Sequence, residues 1–325
     1  MSNLWVNAKK FSRKHWRFLL FGAVATPSWY LLNPKYKTLT MTEIKVGFAG
    51  ALTQFISDSC FHFVDTVNVR CKGADSLVRW YSMVSEIWAK QGMKGFFVGI
   101  NATFCASLFG GFTYFTLYKF LKSKLKKGED DGRFRSFLTD FGAAAIAEMV
   151  ALLIYFPFEL VKARLQTRNE TFMYKNVQDA FKKIMYPTVD TKNPQISSLY
   201  SGSFPYFAMF ILYTTVQFSC YEAVMRLLNK NDKHKANERK KVPHIFAASI
   251  LSGTIASLST NWLEVITIRK QINAAVTIRE IWNQERFALF VKGLTPRLTF
   301  NVCQSVMIFL ILDHICRFIN VQFED

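Results

Sequence analysis

The stretch Phe156-Pro-Phe-Glu-Leu-Val-Lys-Ala-Arg164 ends a long apolar segment and recurs in altered form twice more in the chain. His62-Phe-Val-Asp-Thr-Val-Asn-Val-Arg70 comes earlier, and Asn261-Trp-Leu-Glu-Val-Ile-Thr-Ile-Arg269 comes later. In each copy an acidic residue precedes an arginine at the same spacing, and the copies are roughly a hundred residues apart. This period indicates three tandem repeats.

A second marker follows each motif after roughly thirty residues, and another apolar segment begins directly after this marker. The three markers are Gly92-Met-Lys-Gly-Phe-Phe-Val-Gly99, Leu199-Tyr-Ser-Gly202 and Glu285-Arg-Phe-Ala-Leu-Phe-Val-Lys-Gly293. Each repeat is therefore predicted to contain a long helix, a short polar-to-amphipathic helix and a second long helix. The six long helices are predicted at 42–71, 100–124, 134–168, 202–228, 243–271 and 295–320.

These segments predict an all-α membrane protein with six transmembrane helices in three tandem repeats. Half of the residues are hydrophobic, yet no segment reaches the ~20 consecutive apolar residues of a simple span. Polar residues that recur inside apolar helices are typical of helices around a polar cavity. We expect the repeats to cover 42–128, 129–235 and 236–325, with both termini on one side of the membrane.

A basic extension, residues 1–41, precedes the first repeat. Residues 4–19 form an amphipathic pattern with five basic residues on one side, which predicts a helix lying in the membrane interface. The apolar run 18–32 is short and contains Pro27, so it is either a surface-lying segment or a seventh span.

The net charge of +18 raises the question of nucleic acid, but many basic residues lie in short segments beside apolar stretches. This placement favours an anionic lipid surface as the partner and disfavours nucleic acid. The six cysteines contain no Cys-x-x-Cys pair, which indicates neither a metal site nor a disulfide framework. The sequence also lacks a phosphate-binding loop and a nucleophile motif, so we predict neither an enzyme nor a cofactor other than bound phospholipid.

Pro157-Phe-Glu-Leu-Val-Lys-Ala-Arg-Leu-Gln166 matches every position of the signature Pro-x-Asp/Glu-x-x-Lys/Arg-x-Lys/Arg-x-Gln. In this motif, and in its threefold recurrence, the chain resembles the mitochondrial carrier family. The resemblance implies a pseudo-threefold barrel of tilted helices around a central site, with short helices on the matrix side. It also implies the inner mitochondrial membrane, with both termini toward the intermembrane space.

In that family the acid and base of each signature link neighbouring repeats in a ring that closes the cavity toward the matrix. The acid and base are three residues apart and share one helix face. The positions that carry this network here are Asp65, Asn68, Glu159, Lys162, Gln166, Glu264, Thr267 and Gln271. Three acids thus face one base, so we expect the ring to close poorly.

Other positions depart from the signature as well. Phe63 and Trp262 replace two of the prolines, and Lys72 replaces the first glutamine. The arginines at the ends of the three motifs point away from the missing bases, and we do not expect them to substitute. In the outer ring that the resemblance implies, none of the three motifs is complete, and Lys119 reverses the expected sign.

The resemblance also places solute contacts at Ser107, Met209, Phe210 and Asn301. No base occurs at these positions, which disfavours an anionic solute. Asp58, His62 and Glu148 add ionisable groups on the first helices of the repeats. One prediction is that Asp58 and His62 face each other as a hydrogen-bonded pair. The alternative is that Asp58 and Glu148 form a cation site.

Lipid is the other ligand that the resemblance implies. Cardiolipin phosphates would bind where helices start behind Gly99, Gly202 and Gly293, with Lys292 beside the last of them. The alternative is that these glycines only permit turns.

Two functions follow from this pattern. The incomplete gates favour a former carrier that is retained as a lipid-bound structural subunit of a larger inner-membrane complex, such as a respiratory one, with protein partners. The alternative is an active carrier for a small neutral, cationic or apolar solute.

Overall fold

The computed structural model describes residues 40–125, 133–167, 174–187, 194–231 and 241–318, and within these ranges all regular elements are helical. Six helices are long: α1 (Met41–Gly73), α3 (Ile100–Leu125), α4 (Arg133–Thr167), α6 (Ser203–Asn231), α7 (Lys241–Ile272) and α10 (Leu294–Phe318). Four are short: α2 (Trp80–Gln91), α5 (Val177–Met185), α8 (Ile278–Glu285) and α9 (Ala288–Val291).

The order of long helix, short helix and long helix occurs three times along the described chain. Both ends of every long helix lie within three residues of the sequence prediction. The helices begin where local signals indicate, as at Thr40, whose hydroxyl accepts from the backbone N–H of Glu43 while the Glu43 carboxylate accepts from the N–H of Thr40. The predicted extension 1–41 and its anchor helix fall outside the described residues, except for the first positions of α1.

Small residues bring α1 and α3 into close contact. A Cβ atom on Gly47 would lie 1.9 Å from Oγ1 of Thr116, and one on Gly50 would lie 2.0 Å from the Phe115 ring. No side chain fits at such distances, so the two backbones approach as closely as glycine allows. Helices α4 and α6 meet differently, through the ring of Phe156, which lies 5.2 Å from the Tyr206 ring and 5.8 Å from the Phe207 ring.

The outward faces of the long helices are apolar. Phe48, Phe109 and Ile146 are each at least half exposed, which is costly in water and favourable in lipid. Among the described residues, two helical stretches, 80–124 and 142–167, are by length and composition apolar enough to cross a membrane.

Candidate functional site

The six long helices surround a cavity of about 560 Å³, and every one of them contributes to its lining. One end of this cavity is closed by the residues of the three signature motifs, and we call that end the floor. Charged side chains form a ring at the floor, which is the arrangement that the family resemblance implied. Its partners, however, differ from the prediction.

One lysine serves two acids where α1 meets α4. Nζ of Lys162 lies 3.1 Å from Oδ2 of Asp65 and 2.8 Å from Oε2 of Glu159 on its own helix. Gln166, one turn further along α4, donates from Nε2 to Oδ2 of Asp65 at 3.2 Å and to Oγ1 of Thr66 at 3.1 Å. This junction therefore joins α1 to α4 by an ion pair and by a glutamine that spans it.

Two basic residues that do not occupy base positions of the signature pair with the third acid. Nζ of Lys72 lies 2.9 Å from Oε1 of Glu264, and Nε of Arg297 lies 2.5 Å from Oε2. Asn68, in the place of a base, donates from Nδ2 to the same carboxylate at 2.8 Å. The floor thus holds three acids and three bases, and the expectation that it would close poorly for lack of charge was wrong.

The physical reason is that the compensating bases do not lie at the base positions of the motif. Lys72, in the place of the signature glutamine, follows Asn68 by one turn on the same face of α1, so its longer side chain reaches the acid that Asn68 also contacts. Arg297 belongs to α10, a second helix of its repeat, which the signature does not cover. The motif spacing alone does not show that either residue pairs with Glu264.

The third junction, between α4 and α7, has no such link among the described gate residues. The hydroxyl of Thr267 donates to the carbonyl of Leu263 on its own helix at 2.8 Å. Glu159 stays with Lys162, and the floor is therefore joined by charge at two of its three junctions. The Nε2 amide of Gln271 is buried here without a hydrogen-bond partner.

An apolar layer lies one turn beyond the charged ring. It consists of Val69, Ala163 and Ile268, one from each repeat, and each is at most 4% exposed. The motif arginines close the barrel below it by binding backbone carbonyls of the neighbouring repeat: Arg70 binds Gln166 and Arg164 binds Gln271, each at 2.8 Å. The gate acids pair instead with Lys72, Lys162 and Arg297.

The three marker glycines start the second long helix of each repeat with a left-handed backbone. Gly99, Gly202 and Gly293 have φ values of 85°, 80° and 63°, a region that other residues rarely adopt. A Cβ atom on Gly293 would lie 2.8 Å from Cγ of Lys72, so this glycine also leaves the space that the Lys72 side chain occupies. The turn role of these residues is therefore established by geometry.

Lys292 is not available to lipid. It is fully buried, and its Nζ lies 2.6 and 2.8 Å from the two carboxylate oxygens of Glu285. The same carboxylate also pairs with Arg269. The prediction that Lys292 contacts a phospholipid headgroup was wrong, because the buried acid on α8 takes its charge.

Asp58 lies in the middle of the cavity and accepts hydrogen bonds from three neutral side chains. Gln54 and Gln304 donate to its Oδ1 at 2.9 and 2.6 Å, and Ser107 donates to Oδ2 at 2.5 Å. These donors come from α1, α10 and α3, so one carboxylate joins three helices. Among the described residues it forms no ion pair.

His62 does not face Asp58. One ring nitrogen lies 3.0 Å from the carbonyl of Val98, and the other lies 3.2 Å from the hydroxyl of Thr103. Val98 lies just before α3 and Thr103 lies in its first turn. The spacing of two residues on one helix could not reveal these contacts. The predicted hydrogen-bonded pair of Asp58 and His62 is therefore wrong.

Glu148 is half-buried and lines the cavity on α4. In the described part of the chain its carboxyl group has neither a hydrogen bond nor an ion pair. Met209, Phe210 and Asn301 line the cavity as well, and Asn301 donates to Oγ of Ser257 at 2.7 Å. Ser107 lies behind Asp58 and is fully buried.

One base near these positions escaped the sequence prediction. Arg297, one turn before Asn301, lines the cavity and lies with its guanidinium 5.8 Å from the centre of the Tyr213 ring. Its NH2 group donates to Thr260 at 2.7 Å and its NH1 group to the carbonyl of Ser257 at 3.1 Å. Extending the search by one helical turn would have found it.

At the opposite end of the bundle, only some of the side chains belong to the described residues. Lys119 is largely buried, and Glu222 forms an exposed ion pair with Arg226 at 2.9 Å. The side chains of Asp140, Asp313 and Arg317 lie outside the described residues. The outer ring therefore stays a prediction.

Comparison with known proteins agrees with this architecture. The family described as "Mitochondrial carrier protein" matches residues 40–129 and 134–232, which is more than half of the chain. Its members are transporters rather than enzymes, and the family indicates the mitochondrial inner membrane.

Similar curated proteins cover most of the chain at low identity. Mitochondrial substrate carrier family protein E of Dictyostelium discoideum is 23% identical, over 77% of this chain and 87% of its own length. Mitoferrin of the same organism is 24% identical, over 82% and 91%. The chloroplastic folate transporter 1 of Arabidopsis thaliana is 26% identical, over 84% and 94%. By the family match and this spread of relatives, the chain belongs to the mitochondrial carrier family.

Proposed function

We propose that this protein is an active membrane carrier for a small organic cation. The observation that carries the proposal is the contrast inside the cavity: each gate acid at the floor has a basic partner, whereas Asp58 and Glu148 form no ion pair among the described residues. Carboxylates at membrane depth without a basic partner favour a positively charged ligand. The aromatic rings around them, which include those of Tyr114, Tyr155 and Tyr213, supply faces that also attract cations.

In this proposal all six long helices cross the membrane as three repeats, with both termini in the intermembrane space and the cavity opening toward that side. The charged floor and the apolar layer close the matrix side. A cation that enters gains attraction from Asp58 and Glu148 without displacing an ion pair, since the bases at the floor are already paired. Its binding shifts the balance toward the state in which the floor opens.

Opening requires two ion pairs between repeats to separate, Lys162 with Asp65 and Lys72 with Glu264. Two other contacts remain inside their own repeats: Lys162 keeps Glu159, and Arg297 keeps Glu264. The acids Glu159 and Glu264 are therefore not left unpaired when the repeats move apart. This arrangement lowers the cost of opening compared with a ring whose partners all lie across the junctions.

A structural subunit remains a second candidate, favoured by the incomplete outer motifs, in which Lys119 stands where an acid is expected. Its main support at the sequence level was the charge imbalance of the inner ring, and Lys72 and Arg297 remove that imbalance. Stable migration with a large complex after mild solubilisation would support this candidate and its protein partners. Migration as a 37.5 kDa chain with detergent would contradict it.

Anionic phospholipid is a further proposed ligand. Long helices start after Gly99, Gly202 and Gly293, and the free N–H groups of a helix N-terminus attract phosphate. Native mass spectrometry of the purified chain would report retained cardiolipin. Complete loss of lipid without loss of stability would contradict a specific site.

Uptake into liposomes that contain the full chain tests the transport proposal. We expect uptake of radiolabelled organic cations, no uptake of malate or phosphate, and a loss of at least about tenfold in Asp58→Asn and Glu148→Gln. Glu86→Gln is the matched control, because it removes an exposed carboxylate on α2. Equal uptake by all four proteins would contradict the assignment of Asp58 and Glu148.

A further inference from the structure

Two carboxylates in the cavity have no basic partner among the described residues. At the floor, Asp65, Glu159 and Glu264 are matched by Lys72, Lys162 and Arg297 through distances of 2.5 to 3.1 Å. Asp58 and Glu148, higher in the cavity, have no basic partner in the described chain. Two negative charges are therefore left for a ligand to neutralise.

The two remaining carboxylates occupy separate positions. Asp58 precedes Asp65 by seven residues on α1, and Glu148 precedes Glu159 by eleven on α4. Lys162 binds both Asp65 and Glu159, so these two acids mark the same depth. The difference of four residues places Glu148 about 6 Å nearer the mouth than Asp58, at the rise of 1.5 Å per residue. The two groups also lie on different helices, α1 and α4.

Each carboxylate is held in a way that leaves its charge unneutralised. Asp58 is fixed by Gln54, Ser107 and Gln304, which are neutral donors. Glu148 is half-buried, lines the open cavity and has no hydrogen bond in the described residues. A carboxylate that faces an open cavity without a partner among the described residues points to a donor-bearing ligand.

The cavity wall around the two positions is rich in aromatic rings. Tyr114 and Phe115 on α3, Tyr155 on α4 and Tyr206 on α6 line the cavity. Such a wall packs against methylene groups and attracts ammonium groups over its ring faces. It offers no charged partner for an additional polar group on the ligand.

The cavity disfavours a ligand that carries a carboxylate. The one guanidinium in the described cavity lining, that of Arg297, is already bound to Glu264, Thr260 and the carbonyl of Ser257. To bind a second carboxylate it would have to leave Glu264 with less compensation at the floor.

Resting on the carrier function proposed above, we propose that the solute is a linear dication, a short aliphatic diamine without a carboxylate. One ammonium group binds Asp58, the other binds Glu148, and the aliphatic spacer lies against the aromatic wall. A spacer of about five methylenes covers the ~6 Å difference in depth with room for the lateral offset. The two charges of the ligand then equal the two unmatched charges of the cavity.

Three probes of nearly equal length test the proposal. Cadaverine has two ammonium groups, pentylamine has one, and lysine adds a carboxylate to the cadaverine skeleton. We would measure binding to the purified full chain by the ligand dependence of its thermal unfolding, and uptake of each labelled probe into liposomes. The expected result is at least about tenfold tighter binding of cadaverine than of either other probe.

Variants assign the two ends. Glu148→Gln should reduce cadaverine binding to the level of pentylamine, while Glu86→Gln, on the exposed face of α2, should leave it unchanged. Asp58→Asn should weaken cadaverine as well. With its amide oxygen in the place of Oδ1, an asparagine still accepts hydrogen bonds from Gln54 and Gln304 and loses only the one from Ser107.

The outcomes separate this inference from the carrier proposal. Lysine binding as tightly as cadaverine would overturn it and assign a carboxylate site at Arg297. Equal binding of pentylamine would overturn it in favour of a single cation position. Uptake of any of these cations keeps the carrier proposal in either case, whereas tight cadaverine binding without uptake of any cation would keep the site and reject transport.

Discussion

At the floor of the cavity three carboxylates face three basic side chains, whereas Asp58 and Glu148, about two to three helical turns away, have no basic neighbour in ion-pair distance within the described chain. The two regions share the same helices and a similar degree of burial. What differs is the source of the compensating charge. At the floor the compensating positive charge comes from basic side chains of the protein. At Asp58 and Glu148 it would have to come from a ligand.

This difference separates two roles for a buried acid. Removing a base from a buried pair leaves an uncompensated charge and destabilises the fold. Removing an acid that has no partner breaks no pair, and its cost falls on ligand binding. Stability and transport should therefore respond in opposite ways to substitutions in the two regions, and the following changes are ordered by their expected effect on stability.

Lys162→Met should have the largest effect, because it leaves both Asp65 and Glu159 without a base. We expect a loss of about 3–5 kcal/mol in the free energy of unfolding. The apparent melting temperature of the purified chain in detergent, followed with a thiol-reactive dye, measures it. Lys90→Met is the matched control, since Lys90 pairs with Glu86 on an exposed surface, where such a pair contributes ~0.5 kcal/mol.

Lys72→Gln should cost less, about 2 kcal/mol, because Glu264 keeps Arg297 and Asn68. This change also restores the glutamine of the family signature. The same melting experiment applies. A loss as large as that of Lys162→Met would show that Arg297 does not compensate Glu264, and the balance of the floor would have to be reconsidered.

Thr267→Lys should stabilise the closed floor by about 1 kcal/mol, because it supplies a base at the junction of α4 and α7, where Glu159 has no partner across the interface. The melting temperature should rise and the uptake rate should fall. Asn68→Lys is the contrast: it adds a base beside Lys72 and Arg297, and it should destabilise the protein. A rise in both variants would contradict the uneven distribution of charge.

Glu148→Gln should have the smallest effect on stability, within about 0.5 kcal/mol, because no described hydrogen bond or ion pair is lost. Cation uptake should nevertheless fall by at least about tenfold. A variant that melts early but still transports would place Glu148 with the structural acids of the floor rather than with the ligand.

The helices and the three gate acids were predictable because both depend on local spacing. Apolar segments and marker glycines fixed the ends of the long helices within three residues, and Asp65, Glu159 and Glu264 do reach one floor. Both kinds of signal repeat at regular intervals in the sequence, and counting residues therefore recovers them.

The partners of these acids were not predictable in the same way. Lys72 occupies the glutamine position of the motif rather than a base position, and Arg297 reaches Glu264 from another helix. The orientation of His62 toward Val98, and the burial of Lys292 against Glu285, likewise depend on tertiary contacts that spacing does not encode. Sequence reasoning found where charge is needed but not which residue supplies it.

The apolar layer of Val69, Ala163 and Ile268 has a consequence for the electrical tightness of the membrane. Across a bilayer that holds a potential, one elementary charge gains about 2.3 kcal/mol per 100 mV by crossing, so protons and small ions are driven toward any continuous file of water or acidic groups. Three closely packed hydrocarbon side chains interrupt such a file directly behind the charged ring. The protein can therefore keep a chain of carboxylates facing one compartment without short-circuiting the gradient that the membrane stores.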